Sequence, residues 1–320
     1  MAPRNRLAHL GIVFGIGVGL GAGCGGKDAA ATDAPDGTDG RSVDAPDFGD
    51  PLAGRGNVEL VQGGLMFTEG PQWREAEGDL VFSDIPASTI YRYQPGGTPV
   101  VLVNPSNNAN GLAVDGSGAL VAAEHGMRRV SRAGATVAGM FEGKRLNSPN
   151  DVIVADDGTI YFTDPPYGIT EAQSELLFSG VFRVAPDGTL TAELRGALAS
   201  RPNGVGLSPD GGILYTVDTV DGNLYRYPIQ LGGALGPRSM LAATSGNPDG
   251  LAVDIAGNIF VTTRTGVEVF SPLGARWGVI PVPMQPANCA FGDPDHKTLY
   301  ITARTAVYRV RLEHAGLPRR

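Results

Sequence analysis

Six short segments of the chain begin with a side chain that carries a terminal oxygen, and they recur at intervals of 41, 40, 53, 46 and 39 residues. These positions are Glu69, Asn110, Asn150, Asn203, Asp249 and Asn288. Carboxylate and amide oxygens are the ligands that a hard divalent cation takes, with water completing the shell. If the fold brings the six together, the pattern predicts one divalent-cation site, with Ca²⁺ as first choice and Zn²⁺, Mn²⁺ or Mg²⁺ as alternatives.

Turn chemistry is the alternative explanation of these residues. Asn and Asp are frequent at the entry to turns, where their side chains bond the local backbone, and Asn-Gly and Asp-Gly are common turn dipeptides. That explanation covers each position singly. It does not account for Glu69, or for the same chemistry in all six segments.

The segments are repeats of one structural unit. After the oxygen-bearing residue comes a short apolar strand, a turn of Asp, Gly, Asn or Pro, a second apolar strand and usually a third, such as "GVFRVAP" or "NLYRYPI". Three or four strands at a period near 45 residues are typical of a β-propeller blade. The sequence therefore predicts an all-β fold, a six-bladed β-propeller in which the first strands line the channel and the six residues meet at one end of its axis.

The two ends of the repeat region predict how the ring closes. The last repeat ends at "AVYRVRLEH" with only three strands, while "NVELVQG", residues 57 to 63, precedes the first repeat and has no blade of its own. Pairing this N-terminal strand with the last blade would remove exposed sheet edges. We therefore expect it to be the outer strand of blade six.

A second set of acidic residues stands at the end of the second strand in four successive blades: Asp84, Glu124, Asp164 and Asp218. We call these the strand-end acids. His125 follows one of them, and Arg264 and Arg304 follow the corresponding positions of blades five and six. The acids are interpreted as partners of backbone amides and turns; the arginines either orient a substrate oxyanion or pair with neighbouring acids.

The N-terminal part of the chain differs from the repeats. Basic residues, a Gly-rich apolar run and Cys24 in a lipobox-like context indicate a signal segment over 1–24, with an ordinary signal peptide as alternative. Residues 25–55 are acidic and contain almost nothing to bury, which predicts a disordered linker. The propeller is expected over 56–320. The chain is expected to be exported, as a periplasmic or outer-membrane-anchored lipoprotein, with membrane contact only through a lipid anchor.

Charge and cysteine content bear on two further expectations, nucleic-acid binding and disulfide bonds. The net charge of −8 and the pI near 5.0 argue against a nucleic-acid partner, because phosphate binding needs clustered Lys and Arg. Once Cys24 is removed or lipidated, Cys289 is the remaining cysteine, so no intramolecular disulfide is expected. The oligomeric state is not predicted by the sequence.

The repeats from about residue 60 to 312 resemble the family of gluconolactonases and the senescence marker protein regucalcin, and especially its bacterial gluconolactonase branch. The stretches that carry the resemblance are "EGPQW", "NGLAVDGSGALVAAEHGMRRVSR", "LNSPNDVIVADDGTIYFTDPPYG", "RPNGVGLSPDGGILYTVDT" and "NPDGLAVD". The resemblance implies metal ligation by Glu69, Asn203 and Asp249, with Asn150 as a further ligand or the holder of a metal-bound water. It also implies that Asp249 is the catalytic acid/base.

The resemblance also has a departure. Regucalcin-like members place an arginine two residues before the asparagine of this motif, where this chain has Ser148. Arg145 and Lys144 are candidates to replace it. Candidate substrate-binding residues are therefore Asn110, His125, Arg145 and Asn288.

The predicted reaction is opening of a small-molecule lactone, with a metal-polarised carbonyl and a carboxylate that assists water attack. No nucleophilic elbow of the G-x-S-x-G type is present in the sequence. Two alternatives stay open. The same metal site could act on phosphotriesters, as in diisopropyl-fluorophosphatases, or the chain could be a non-catalytic ligand-binding propeller.

Overall fold

The computed structural model describes residues 48–318 and shows six four-stranded antiparallel sheets. The six-bladed β-propeller predicted from the repeats is confirmed. From the inner to the outer strand, blades one to three are β2 Thr68–Arg74, β3 Asp79–Asp84, β4 Thr89–Tyr93 and β5 Val100–Val103; β6 Ala109–Val114, β7 Leu120–Glu124, β8 Arg129–Arg132 and β9 Ala135–Ala138; and β12 Val152–Val154, β13 Ile160–Asp164, β14 Ser179–Val184 and β15 Leu190–Gly196.

Blades four to six repeat this plan, with one change in the last blade. Their strands are β16 Pro202–Leu207, β17 Ile213–Asp218, β18 Asn223–Pro228 and β19 Ser239–Ala243; β20 Leu251–Val253, β21 Ile259–Thr263, β22 Gly266–Phe270 and β23 Arg276–Ile280; and β24 Asn288–Gly292, β25 Thr298–Ala303, β26 Ala306–Arg311 and β1 Glu59–Gly63. Two short strands, β10 Met140–Phe141 and β11 Lys144–Arg145, form a hairpin between blades two and three.

The N-terminal strand closes the ring, as predicted. Strand β1 pairs antiparallel with β26, with Glu59 opposite Arg309 and Gly63 opposite Ala306. The first described strand thereby completes the last blade. Both ends of the propeller sequence are held in one sheet, which protects its edge.

Apolar side chains fill the spaces between neighbouring blades. Between blades two and three, for example, Val121 packs in one cluster with Val152, Phe162 and Phe182, and the last two rings stack at 5.2 Å. Leu176 joins this cluster. The inserted stretch at 168–180, which contains the 3₁₀-helix Glu171–Gln173, therefore packs on blade three through its apolar part.

In blades one to four, the strand-end acids accept hydrogen bonds from donors within their own blade. Both oxygens of Asp84 accept backbone N–H bonds, from Met66 at 2.9 Å and Phe67 at 3.0 Å. Asp164 likewise accepts the N–H groups of Asn147 and Ser148, both at 2.7 Å. These acids pin the segment that precedes the inner strand of their own blade.

Two members of the set vary this arrangement. Asp218 accepts the N–H of Arg201 on both carboxylate oxygens at 3.2 Å. Glu124 instead accepts side-chain donors from Asn107, Arg129 and Ser131. Asp84, Asp164 and Asp218 thus accept backbone amides, as interpreted from the sequence, whereas Glu124 accepts side-chain donors of its blade.

The predicted signal segment with Cys24 and most of the predicted linker lie outside the described residues. The end of that linker, however, contacts the propeller: Leu52 packs against the cluster between blades five and six. Within residues 48–318, no helix has the length and apolarity required to cross a bilayer. Cys289 is buried beside the backbone carbonyl of Phe260.

Candidate active site

The inner strands approach one another closely at the end of the channel where the six oxygen-bearing residues lie. The N–H of Gly111 donates to the carbonyl of Asn150 at 2.8 Å, and that of Gly204 donates to the carbonyl of Asp249 at 2.7 Å. A Cβ on either glycine would collide with the backbone of the next blade. Asn-Gly in these segments therefore serves inner-strand packing between blades, and not a turn.

Blade three has Asp151 where these blades have glycine, which explains its Asn-Asp pair. The carboxylate of Asp151 accepts the N–H of Val152 and, in blade four, the N–H of Val205, both at 3.1 Å. This carboxylate is buried near those of Glu69 and Asp249. The sequence analysis did not assign it to the site, although the Asn-Asp pair was a visible signal.

Glu69, Asp151 and Asp249 form a group that we call the axial acids. Burial, with the charges of Asp249 and Asp151, raises the pKa of Glu69 well above its usual value. Burial raises the pKa of Asp249 to about 7 and that of Asp151 to about 6. Removal from water disfavours the charged form, and the neighbouring negative charges add to this for Glu69 and Asp249.

Two predicted amides connect the axial acids. The side chain of Asn288 lies close enough to Glu69 and Asp151 to lower the pKa of both. The side chain of Asn203 lowers the pKa of Asp249 in the same way, and its Nδ2 donates to Thr219 Oγ1 at 3.0 Å. The structure therefore brings Glu69, Asn203, Asp249 and Asn288 into one connected group.

Asn150 lies in the same layer through its backbone. Its N–H donates to the carbonyl of Thr163 at 2.8 Å, its carbonyl accepts from Gly111, and its side chain is buried. It directly precedes Asp151, so blade three contributes an amide and a carboxylate in succession.

Asn110 contacts His125, another predicted substrate-binding residue, which lines a pocket. Its Nδ2 lies 3.3 Å from Nε2 of His125, and burial lowers the pKa of that imidazole to about 4. His125 is therefore neutral near pH 7. It lines a pocket of about 410 Å³, to which Arg145 also contributes. Lys144, the other candidate to replace an arginine at Ser148, is not among the residues that line it.

Two further residues act at the axial end: Tyr167, which was not predicted from the sequence, and Arg304, for which the sequence left two roles open. The side chains of Asn203 and Thr219 lie close enough to the phenol of Tyr167 to lower its pKa, but burial and then the charge of Asp249 raise that pKa to about 12. The positive charge of Arg304 acts on Asp249 and lowers its pKa. Tyr167 comes from the loop after β13, where the sequence offers no repeat to align.

The donor set suits a hard cation. The described residues contain no group of three or more His, Cys, Asp or Glu side chains arranged to hold a metal by themselves. A cation at the axis therefore needs amide oxygens together with the carboxylates of Glu69 and Asp249. Mixed carboxylate and amide oxygens are ligands of Ca²⁺, and buried carboxylates that repel each other gain most from a positive charge between them.

Residues 67–305 match the model of the SMP-30/gluconolactonase/LRE-like region. The match spans most of the chain and all six inner strands. The chain belongs to this family, as the motifs around its oxygen-bearing residues predict.

Individual relatives agree with this assignment. The chain is 34% identical over 295 residues to a gluconolactonase of Zymomonas mobilis subsp. mobilis, covering 81% of this chain and 82% of that protein. It is 32% identical over 258 residues to a pentonolactonase of Haloferax volcanii, covering 77% and 84%. The solved structure of a gluconolactonase from Xanthomonas campestris superimposes with a TM-score of 0.75 at 36% identity, covering 80% of this chain and 89% of that one.

Proposed function

We propose that the protein is a divalent-cation-dependent lactonase that hydrolyses sugar lactones, with gluconolactonase-like specificity. The observation that carries the proposal is the buried group of Glu69, Asp249 and Asn203 at the axial end of the channel. Its donors are those that the family resemblance implies for a metal. The gluconolactonase and pentonolactonase relatives support a lactone substrate.

Glu69, Asn150, Asn203 and Asp249 would hold the cation. When bound, a divalent cation polarises a carbonyl oxygen and stabilises negative charge that develops on it. The two carboxylates would balance the cation's charge, and Ca²⁺ is the first choice because every proposed ligand is an oxygen.

Asp249 is the proposed acid/base. In the metal-free protein burial raises the pKa of Asp249 to about 7. A bound cation would lower that pKa, so Asp249 would be charged near neutral pH and able to accept a proton from water. As the water oxygen bonds to the lactone carbonyl carbon, Asp249 accepts the water's proton. As the bond between that carbon and the ring oxygen breaks, Asp249 returns the proton to the departing oxygen, and a hydroxy acid results.

The remaining side chains position the proton carrier and the substrate. The side chain of Asn203 favours the charged form of Asp249 and so limits the rise of its pKa. Neutral His125 and Asn110 present polar groups between the axial acids and the pocket. These groups suit the hydroxyls of a sugar lactone, because each can donate or accept a hydrogen bond.

The proposal is tested by hydrolysis of D-glucono-1,5-lactone and a pentonolactone, with chelator and then with Ca²⁺, Zn²⁺, Mn²⁺ or Mg²⁺ restored. We expect turnover that chelator abolishes and one of these cations restores. Turnover of aryl phosphotriesters but not of lactones would instead indicate the phosphotriesterase alternative. Tight lactone binding without turnover under every metal would indicate a binding propeller.

A further inference from the structure

The pocket beside His125 contains two arginines, one of which has a donor without a hydrogen-bond partner within residues 48–318. Arg128 and Arg145 line it together with His125. Arg128 was not a candidate in the sequence analysis. It follows the strand-end acid of blade two by four residues, in a hairpin whose length gives no hint that its side chain turns towards a pocket.

The guanidinium of Arg128 is buried but incompletely bonded. Its Nε donates to the carbonyls of Leu146 and Asn147, at 2.7 and 3.0 Å. Its Nη1 lies 3.5 Å from Oε1 of Glu175. Its Nη2 is buried and has no hydrogen-bond partner within residues 48–318, although Arg128 is only 8% exposed. A buried donor without a partner is costly, which makes it a place for a ligand acceptor.

Two carboxylates, Glu175 and Asp164, lie near the two arginines of the pocket. Burial and then the charge of Arg145 lower the pKa of Arg128, so the two cations lie close enough to repel each other. Glu175 offsets one of them, and its carboxylate also accepts the backbone N–H of Arg145 at 2.9 Å. Asp164 also acts on Arg128 with its charge, although its oxygens accept the backbone N–H groups of Asn147 and Ser148. Two arginines and two carboxylates therefore lie around the pocket, and the Nη2 of Arg128, unpartnered among the described residues, is the donor left for a ligand.

The geometry points to Arg128, assisted by Arg145, as the binding site for an anionic group carried by the substrate. The group is a carboxylate, sulfonate or phosphate oxyanion on the lactone, distant from the carbonyl that is attacked. A guanidinium binds such oxyanions through two parallel N–H bonds, which a free Nη2 beside Nη1 can supply. This inference rests on the proposed lactonase function and names the class of lactone that the site would prefer.

The carboxylate released by hydrolysis is a different anion and does not explain the pocket. It forms at the carbonyl, which the proposed function places at Glu69 and Asp249. Neither of these acids lines the pocket of Arg128. His125 and Asn110 stand between the two groups, so the pocket suits the far end of an elongated substrate.

The test compares kcat/KM for 6-phospho-D-glucono-1,5-lactone and for D-glucono-1,5-lactone, in the full chain and three variants. Arg128→Lys keeps the charge and a donor for the carbonyls of Leu146 and Asn147 but loses the guanidinium fork. We expect it to lower the ratio of the two constants about tenfold. Arg145→Gln should lower the ratio about threefold, since its charge is more exposed. Lys144→Gln removes a charge from the same hairpin and should leave the ratio unchanged.

A binding measurement separates failure of this inference from failure of the proposed function. Calorimetry with chelator present should show that 6-phosphogluconate binds more tightly than gluconate, and that Arg128→Lys removes the difference. That result supports the anion site even if no lactone is hydrolysed. If the wild-type protein hydrolyses the neutral lactone but the ratio is the same in all variants, and the two acids bind equally, Arg128 is a structural residue and the inference is wrong.

Discussion

The propeller contains two sets of buried acids that differ in what surrounds their carboxylates. The strand-end acids receive donors from the backbone or side chains of their own blade; Asp84, for instance, accepts two N–H groups. Among the axial acids, Glu69 accepts one backbone N–H, from Gly70 at 3.1 Å, and faces two other carboxylates. The same side-chain chemistry therefore stabilises the blades in one layer and leaves unbalanced negative charge in the other.

The comparison shows which acids have carboxylate oxygens that are free to bind a cation or a substrate. A carboxylate whose oxygens are filled by backbone donors has little to offer a cation or a substrate. Asp151 lies between the two kinds: it is an axial acid by position, yet it accepts two backbone N–H groups that tie blade three to blade four. The cation site proposed above therefore uses Glu69 and Asp249, and Asp151 is a neighbouring carboxylate fixed by its backbone donors.

The largest effect should come from the proposed acid/base. Asp249→Asn is expected to lower kcat for a sugar lactone by about 10²-fold or more, because the amide cannot take up the proton of water. Its unfolding free energy without metal should not fall, since one buried charge is removed. Steady-state kinetics and thermal unfolding measure the two quantities. Activity within a few-fold of wild type would show that Asp249 is not the acid/base.

The pH dependence of stability should expose the axial acids. In the metal-free protein, Asp249 has a pKa of about 7 and Asp151 of about 6, both above the value of about 3.9 in an unfolded chain. The folded state then binds more protons, so these groups contribute stability below pH ~4 that is lost as the pH rises through 6 and 7. Denaturant unfolding at a series of pH values measures this loss.

Metal should reverse that trend, because its ligands must be deprotonated. The increase in unfolding temperature on adding Ca²⁺ is therefore expected to be larger at pH 8 than at pH 5. Equal increases at both values would mean that any bound Ca²⁺ is held elsewhere than at these carboxylates.

Substitution of a strand-end acid should lower stability and leave activity unchanged, the opposite of the effect expected for Asp249→Asn. Asp84→Asn replaces one of two acceptor oxygens by an amide that cannot accept, so the N–H of Met66 or Phe67 loses its partner. We expect a loss of about 2 kcal/mol in unfolding free energy, with kcat/KM of the folded protein unchanged. Denaturant unfolding and lactone kinetics at low temperature test this. A loss of kcat/KM without a loss of stability would contradict the division between the two sets.

The smallest effect is expected at Tyr167. Its hydroxyl lies close to the side chains of Asn203 and Thr219, so Tyr167→Phe removes a polar neighbour of a proposed ligand without removing any ligand. Activity should fall about threefold, mainly through weaker cation affinity, and excess Ca²⁺ should restore it. If excess cation restores nothing, the hydroxyl contacts the substrate instead.

The fold was predictable because every repeat has the same pattern of strands and turns. Alternating apolar strands and Gly-rich turns recur six times, and the unpaired "NVELVQG" strand indicated how the ring closes. The ring of polar side chains was predictable for the same reason. Equivalent positions in a repeat become neighbours around an axis.

The remaining parts of the site depend on contacts that the repeats do not encode. Asp151 acts through the N–H of Val205 in the next blade, which only the close approach of inner strands reveals. Arg128 and Tyr167 come from hairpins and loops whose side-chain directions follow from packing around residues 146–178. Their residue types alone did not separate them from other surface arginines and tyrosines.

The most direct test of the central claim is the binding of Ca²⁺ by chelator-treated protein at pH 8, measured by calorimetry and by metal content after gel filtration. The wild-type chain and Asp84→Asn should each bind one cation per chain, and Glu69→Gln should bind none. Equal binding by Glu69→Gln and wild type, or no binding of any divalent cation by the wild type, would contradict the assignment of the axial acids to a metal.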